Sequence, residues 1–247
     1  MAIKTVVIAA AGQGTRMKEL TKDKSKHLIE VNEKPFLAYV LDNLIAAGFE
    51  EFILVVGFSS NLMEQFLKDY GYKAKVVNQF DILGPKEKMY GTACPLMCVK
   101  DIVGDKQFVS IYGDNLYSIA DLKKMQNEDE YSYVAGLVND YPEKYGVLIT
   151  DGDLLEEIIE KPKEYVGNLI NTGLYKFTPE VFEKLPLIEK SSRGEYELTD
   201  VISLLAKEGK VKVIKMQDGW MDFGNPDDIE KCSKFLKDEK DENDKRE

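Results

Sequence analysis

The sequence predicts an α/β fold: a mixed, mostly parallel sheet flanked by helices, with a smaller second lobe. Three observations predict it. Short runs rich in Val and Ile alternate with amphipathic stretches through the first half. Several of those stretches close on glycine, as helices do. The second half then changes to strand-rich segments, one folded about Asp151-Gly152-Asp153. The chain has 247 residues, 44% of them hydrophobic, enough to bury a full core.

Each element follows in order. KTVVIAA reads as a buried strand. PFLAYVLDNLIAAG reads as a helix opened by Pro35 and closed by Gly48. EFILVVGF is a strand, NLMEQFLKDYG a helix and YKAKVV a strand. GTACPLMCVKDIV reads as one helix with Pro95 in its first turns. QFVSIYGDN is a strand ending on a glycine and an acid. SYVAGLV, the hairpin YGVLITDGDLLEEIIEK, and LINTGLYKF are strands. PEVFEKL and EYELTDVISLLAKEG are helices, VKVIKM a strand, and PDDIEKCSKFLKD a closing helix with Asn225 as cap and Pro226 first. Residues 1–237 form a single domain, and 238–247 a charged tail.

Composition excludes several function classes. Net charge is −11, against general nucleic-acid binding. No apolar stretch reaches the roughly 18 to 20 residues that span a bilayer, so no membrane association is expected. Cys94, Cys98 and Cys232 have no zinc spacing and fit free thiols in a reducing cytoplasm. A lone histidine, His27, argues against a His-ligated metal and a Ser-His triad. The acidic excess has one exception. Between Gly12 and His27 the charge is +3, with Arg16, Lys18, Lys22, Lys24 and Lys26 against Glu19 and Asp23. That island suggests an anion site, and a solvated loop is the bland reading.

The island follows AAGQGTRM, at the end of the first strand. A dinucleotide fingerprint needs a third glycine and an immediate helix. Met17 stands at the third position, and KELTKDKSKH has no apolar period. The Walker pattern is absent as well. A glycine-rich loop can still present its N–H groups to an anion, with Arg16 and Lys26 adding charge. A plain turn needing positive φ is the other reading.

The longer stretch AAGQGTRMKELTKDKSKHLIEVNEKPFLAYVL resembles the signature of the sugar-1-phosphate nucleotidyltransferases, through Gly12, Gly14, Thr15, Arg16, Lys26, Lys34 and Pro35. Two positions depart from it: Ser25 stands where the family usually has Pro, and Glu19-Leu20-Thr21 where Pro-Leu-Thr is frequent. Later landmarks keep the family's order: YGDN, EKYGVL, EKP, NTGLYKF, RGEYELTD and WMDFGNP. The texture is similar to glucose-1-phosphate thymidylyltransferases and mannose-1-phosphate guanylyltransferases, catalytic domain only.

The resemblance implies a Rossmann-like fold of the nucleotide-diphospho-sugar transferase type with a sugar-binding lobe. It implies condensation of a nucleoside triphosphate with a sugar 1-phosphate, releasing pyrophosphate. Arg16 and Lys26 would be the catalytic cations. Ala10, Ala11, Gly12, Gly14, Thr15, Gly91 and Thr92 would bind the nucleotide. Tyr145, Gly146, Glu160, Lys161 and Asn171 would bind the sugar phosphate. Asp114 and Asp222 would hold Mg2+, a hard cation that takes carboxylate and phosphate oxygens. The family often reads the base with a Gln just before the glycine of Gly91-Thr92. Lys86 to Lys88 stand there, Gln79 is further back, and the base stays open. A single Trp, Trp220, is a stacking platform or core. Three readings remain beside this one: a cytidylyltransferase for phosphocholine or another phosphorylated alcohol, a non-catalytic regulatory homologue, and a weaker dehydrogenase. The assembly of copies into a homo-oligomer stays open too.

Overall fold

The computed structural model describes residues 2–12, 14–21, 25–58, 60–217 and 219–244; the side chains of Thr15, Lys18, Glu19 and 238–244 lie outside that description. The first half contributes β1 (Thr5–Ala10), a small hairpin of β2 (Glu30–Val31) and β3 (Lys34–Pro35), α1 (Phe36–Ala47), β4 (Glu51–Val56), α2 (Ser60–Tyr70), β5 (Lys75–Asn78) and α3 (Gln79–Leu83). After these come α4 (Cys94–Met97), α5 (Lys100–Val103), β6 (Phe108–Tyr112), β7 (Asn115–Tyr117) and α6 (Ile119–Lys124). The second half adds β8 (Ser132–Val138), β9 (Gly146–Asp151), β10 (Leu154–Glu160), β11 (Leu169–Phe177), α7 (Val181–Lys184), α8 (Leu198–Ala206), β12 (Val211–Lys215), β13 (Trp220–Asp222) and α9 (Asp228–Asp244).

The main sheet runs β5-β4-β1-β6-β11-β8-β12-β10-β9. Its first four strands are parallel, as the helical crossovers require. From β6 onward most pairing is antiparallel, because β11 enters beside β6 and β9–β10 form a hairpin. The sheet also curls on itself: β9 meets β11 at Val147 and Ile170. This curled half is the smaller lobe.

Alternate residues of the central strands feed two cores. Val6, Ile8, Leu54 and Val56 face α1 and α2. Val7, Ile53, Val55 and Phe108 face the side of Leu96, Val99 and Leu205. Both faces are covered, so these strands read as continuous apolar runs.

Two helices differ from expectation. GTACPLMCVKDIV makes two single turns, α4 and α5, broken at Val99 (φ −117°, ψ 0°). The break keeps Leu96, Val99 and Val103 all buried in one core. The last helix begins at Asp228 rather than at Pro226. The Asp228 carboxylate reaches back and accepts from the N–H groups of Gly224 (3.1 Å) and Asn225 (2.8 Å). Asn225 O in turn accepts from Asp228 N–H (3.0 Å), so the two residues bond reciprocally at the helix start, and the Asp228 carboxylate serves amides that precede the helix. No described helix is long and apolar enough to cross a membrane.

Candidate active site

A cleft of about 420 Å³ opens along the C-terminal ends of the parallel strands, between the two halves of the sheet. Its lining includes Ala11, Gly12, Arg16, Lys26, Asp114 and Asp222. Tyr145, Gly146, Glu160, Lys161 and Asn171 line it as well, with Gly91 and Thr92. Ala10 and Gly14 do not line it. Ala10 is buried, and its methyl lies against Gly113. Gly14 has φ 64°, and a Cβ there would press on Lys26 at 3.0 Å, so its bare α-carbon seats the lysine. The Thr15 side chain, Lys22 and Lys24 fall outside the described residues.

Lys26 starts a short 3₁₀ turn and is 9% exposed. Its ammonium pairs with the Asp114 carboxylate. Burial opposes ionisation of Asp114, but the Lys26 charge and hydrogen bond outweigh it and hold the carboxyl below its usual range. Ser25, the departure from Pro, is buried, and its hydroxyl bonds His27 Nδ1 at 2.8 Å. Burial first, and then the Lys26 charge, push His27 down to about 3, so it is neutral at physiological pH. Bare Gly113 leaves room for the His27 ring.

Asp222 reaches Asp114 through a two-stranded ribbon. In β7–β13, Asp222 lies opposite Asn115, and Phe223 N–H donates to Asp114 O at 2.8 Å. The two carboxylates thus share one corner. Burial, then the Asp114 charge, raise Asp222 to about 6; Lys26 and Arg16 counter this in part. Trp220 secures the ribbon: its Nε1–H donates to Asn115 Oδ1 at 2.9 Å, and its ring meets Tyr145 edge-on at 5.5 Å. It packs against the core and lines the cleft at once.

Glu160 ends β10 opposite Gly146. Lys161 follows with φ 45°, and its N–H donates to Tyr145 O at 3.0 Å. That left-handed residue turns the chain at the lip of the cleft. A register shift between Asn171 and Tyr175 breaks the β11–β8 pairing. Within it, the Asn171 amide is fixed by donating to Tyr175 Oη (2.8 Å) and accepting from Gly173 N–H (3.0 Å).

Residues that the sequence reading did not single out also line the cleft. Arg193 and Glu197 come from RGEYELTD. Gln79, which the sequence placed too far back from Gly91 to assign, is 1% exposed and lines the cleft as well, and its Oε1 has no hydrogen-bond partner. A buried amide oxygen without a partner is uncommon and suits a ligand donor. The offset from Gln79 to Gly91 is what left its role open in sequence: α3 and a loop fill the interval. Gly91 itself has φ 138°, and a Cβ would fall 2.2 Å from Tyr196 O. Gly91→Ala is expected to cost at least about 3 kcal/mol in thermal unfolding, since neither backbone can yield.

Asp114 and Asp222 suit a hard divalent ion. Among the described residues no group of three or more His, Cys, Asp or Glu could hold a metal. The protein thus offers two carboxylates, the share a Mg2+ bound jointly with phosphates needs. The elevated Asp222 marks an electrostatic demand that a cation would meet.

Comparison with known proteins gives consistent matches. The family model described as Nucleotidyl transferase matches residues 5–239. A UTP–glucose-1-phosphate uridylyltransferase, AglF of Haloferax volcanii, is 35% identical over 240 residues, covering 94% of this chain and 96% of that protein. A bifunctional sugar-1-phosphate nucleotidylyltransferase/acetyltransferase of Sulfurisphaera tokodaii is 32% identical, covering 94% of this chain and 55% of that one. The chain spans about half the length of such bifunctional relatives. Among solved structures, a Bacillus anthracis protein described as a glucose-1-phosphate thymidylyltransferase, in complex with a sucrose, superposes with a TM-score of 0.80 at 27% identity, covering 93% of each chain. A UDP-glucose pyrophosphorylase with UDP-glucose gives a TM-score of 0.81 at 23% identity, covering 96% of this chain and 99% of that one, a likeness of fold.

Proposed function

The chain belongs to the nucleotidyl transferase family, and from that premise we propose how its cleft joins a nucleoside triphosphate to a sugar 1-phosphate. It is an enzyme of the sugar-1-phosphate nucleotidyltransferase type. One observation carries the residue roles: Arg16, Lys26, two carboxylates and Lys161 line one cleft.

A phosphate oxygen of the sugar 1-phosphate attacks the α-phosphorus of the triphosphate. A P–O bond forms there, the bond to the β-phosphate oxygen breaks, and pyrophosphate leaves in line. The nucleophile is already an anion, so no general base is needed, and catalysis is positioning and charge neutralisation. Arg16, Lys26 and the backbone of Ala11 and Gly12 bind the triphosphate. Lys161 draws the sugar phosphate. Glu160, Asn171, Tyr145 and the Gly146 backbone orient the sugar. Gln79 and Gly91 meet the base. Asp114 and Asp222 would hold Mg2+, which would supply charge neutralisation at the phosphates.

Among substrates, UTP with glucose 1-phosphate is the first pair to test, because AglF matches over nearly its whole length. The test is a matrix of five nucleoside triphosphates against several sugar 1-phosphates and phosphocholine, with Mg2+, reading pyrophosphate. Release is expected with a sugar 1-phosphate. Turnover with phosphocholine alone would change the acceptor class. Silence throughout would favour a regulatory homologue.

A further inference from the structure

Two segments remote in sequence lock together on the cleft wall. Tyr196 N–H donates to Tyr90 O (2.9 Å), and Ala93 N–H donates to Tyr196 O (3.0 Å). Between them, Thr92 Oγ1 accepts from Leu198 N–H (2.8 Å), at the start of α8, and donates to Glu197 Oε2 (3.3 Å). Thr92 lines the cleft, yet its hydroxyl is committed to this joint.

Glu197 is 6% exposed. Its Oε1 accepts from Ser191 Oγ (3.0 Å) and from the Arg193 guanidinium (2.9 Å). A buried carboxylate is tolerated only when its oxygens are paired and bonded, and here both are. Arg193 differs: its side chain is half exposed, and it reaches the cleft. A free arginine loses much rotamer freedom when it captures an anion. Glu197 removes part of that cost beforehand and leaves other N–H donors of the fork for a phosphate. The cation lies on the same cleft lining as Lys161 and Glu160.

We infer that Glu197 is a positioning residue: it fixes Arg193 as a second cation for the sugar 1-phosphate and ties it, through Thr92, to the nucleotide side of the cleft. The inference rests on the proposed reaction, with the sugar phosphate entering the cleft. It gives the buried acid of RGEYELTD a role in substrate affinity in addition to packing.

The test is steady-state kinetics of wild type, Glu197→Gln, Arg193→Ala and the double variant, with the best pair from the substrate matrix. Loss of a charge-assisted bond should raise the sugar 1-phosphate KM about tenfold in Glu197→Gln. The triphosphate KM should move by less than about twofold, with kcat carrying the smaller part of the loss. The double variant should be no worse than Arg193→Ala, because Glu197 acts through Arg193. An unchanged sugar 1-phosphate KM, or losses that add in the double variant, overturns the inference. If Glu197→Gln fails to fold, Thr92→Val against Thr92→Ser replaces it. Val should raise the same KM and Ser should not; equal behaviour overturns the inference. Wild-type silence would sink the reaction itself, whereas an active wild type with an indifferent Glu197→Gln sinks only this role.

Discussion

Asp222→Asn is expected to abolish pyrophosphate release and yet stabilise the protein at neutral pH when metal and nucleotide are left out of the buffer. Burial and the Asp114 charge raise this carboxyl from 3.8 to about 6. Its folded value lies above its unfolded one, so the folded state holds the proton longer. The contribution to stability is full below about pH 4 and is lost as pH rises toward 6. At pH 7 the ionised group therefore costs up to about 3 kcal/mol, less after solvent screening. Asparagine keeps the shape and removes the charge. Unfolding of both proteins between pH 4 and 8 should show wild type losing ground to the variant across that window. Adding Mg2+ with a triphosphate should then raise the unfolding free energy of wild type by about 2.7 kcal/mol at a hundredfold excess over Kd, and leave the variant nearly unmoved. A variant with near wild-type turnover at saturating substrates would remove Asp222 from the metal site.

Lys26→Ala should lower turnover by at least about 10²- to 10³-fold, the scale for losing one preorganised charge at a developing anion. Here stability moves the other way. Asp114 stays buried without its ammonium partner. Its carboxyl, depressed in wild type, contributes stability above the ordinary carboxylate range that is lost as pH falls through its folded value. Without Lys26 that contribution disappears, so the deficit of the variant should be present at pH 7 and shrink on acidification. Opposite pH trends in the two variants would separate the roles of Lys26 and Asp222. A Lys26→Ala protein that turned over normally would exclude the lysine from the triphosphate site.

Local sequence patterns reveal much of the fold. Val6 to Ile8 and Ile53 to Val56 read as strands because each face of the sheet is buried, leaving no polar alternation to confuse the pattern. Gly48 ends α1 in the left-handed conformation (φ 97°), a stop the sequence states openly. The break at Val99 and the late start of α9 were not legible. Core packing decides the first, and the reach of one carboxylate the second.

The same division runs through the site. Gly12, Arg16 and Lys26 stand close together along the chain, so spacing alone marks them as a group. Asp114 and Asp222 are each an ordinary strand-end acid in sequence; only the β7–β13 ribbon makes them neighbours. Gln79 stayed unassigned and Glu197 unnoticed for a related reason: their meaning depends on burial and on partners elsewhere in the chain. The sequence by itself determined the order of the main-sheet strands and the longer helices, the two covered faces and the cationic run, because these follow from short-range periodicity and local charge. Tertiary structure decided which carboxylates share a corner, which further cations line the cleft with Lys26, and which glycine must stay bare. Those are contacts between distant segments, and their energies arise only when burial removes water from both partners.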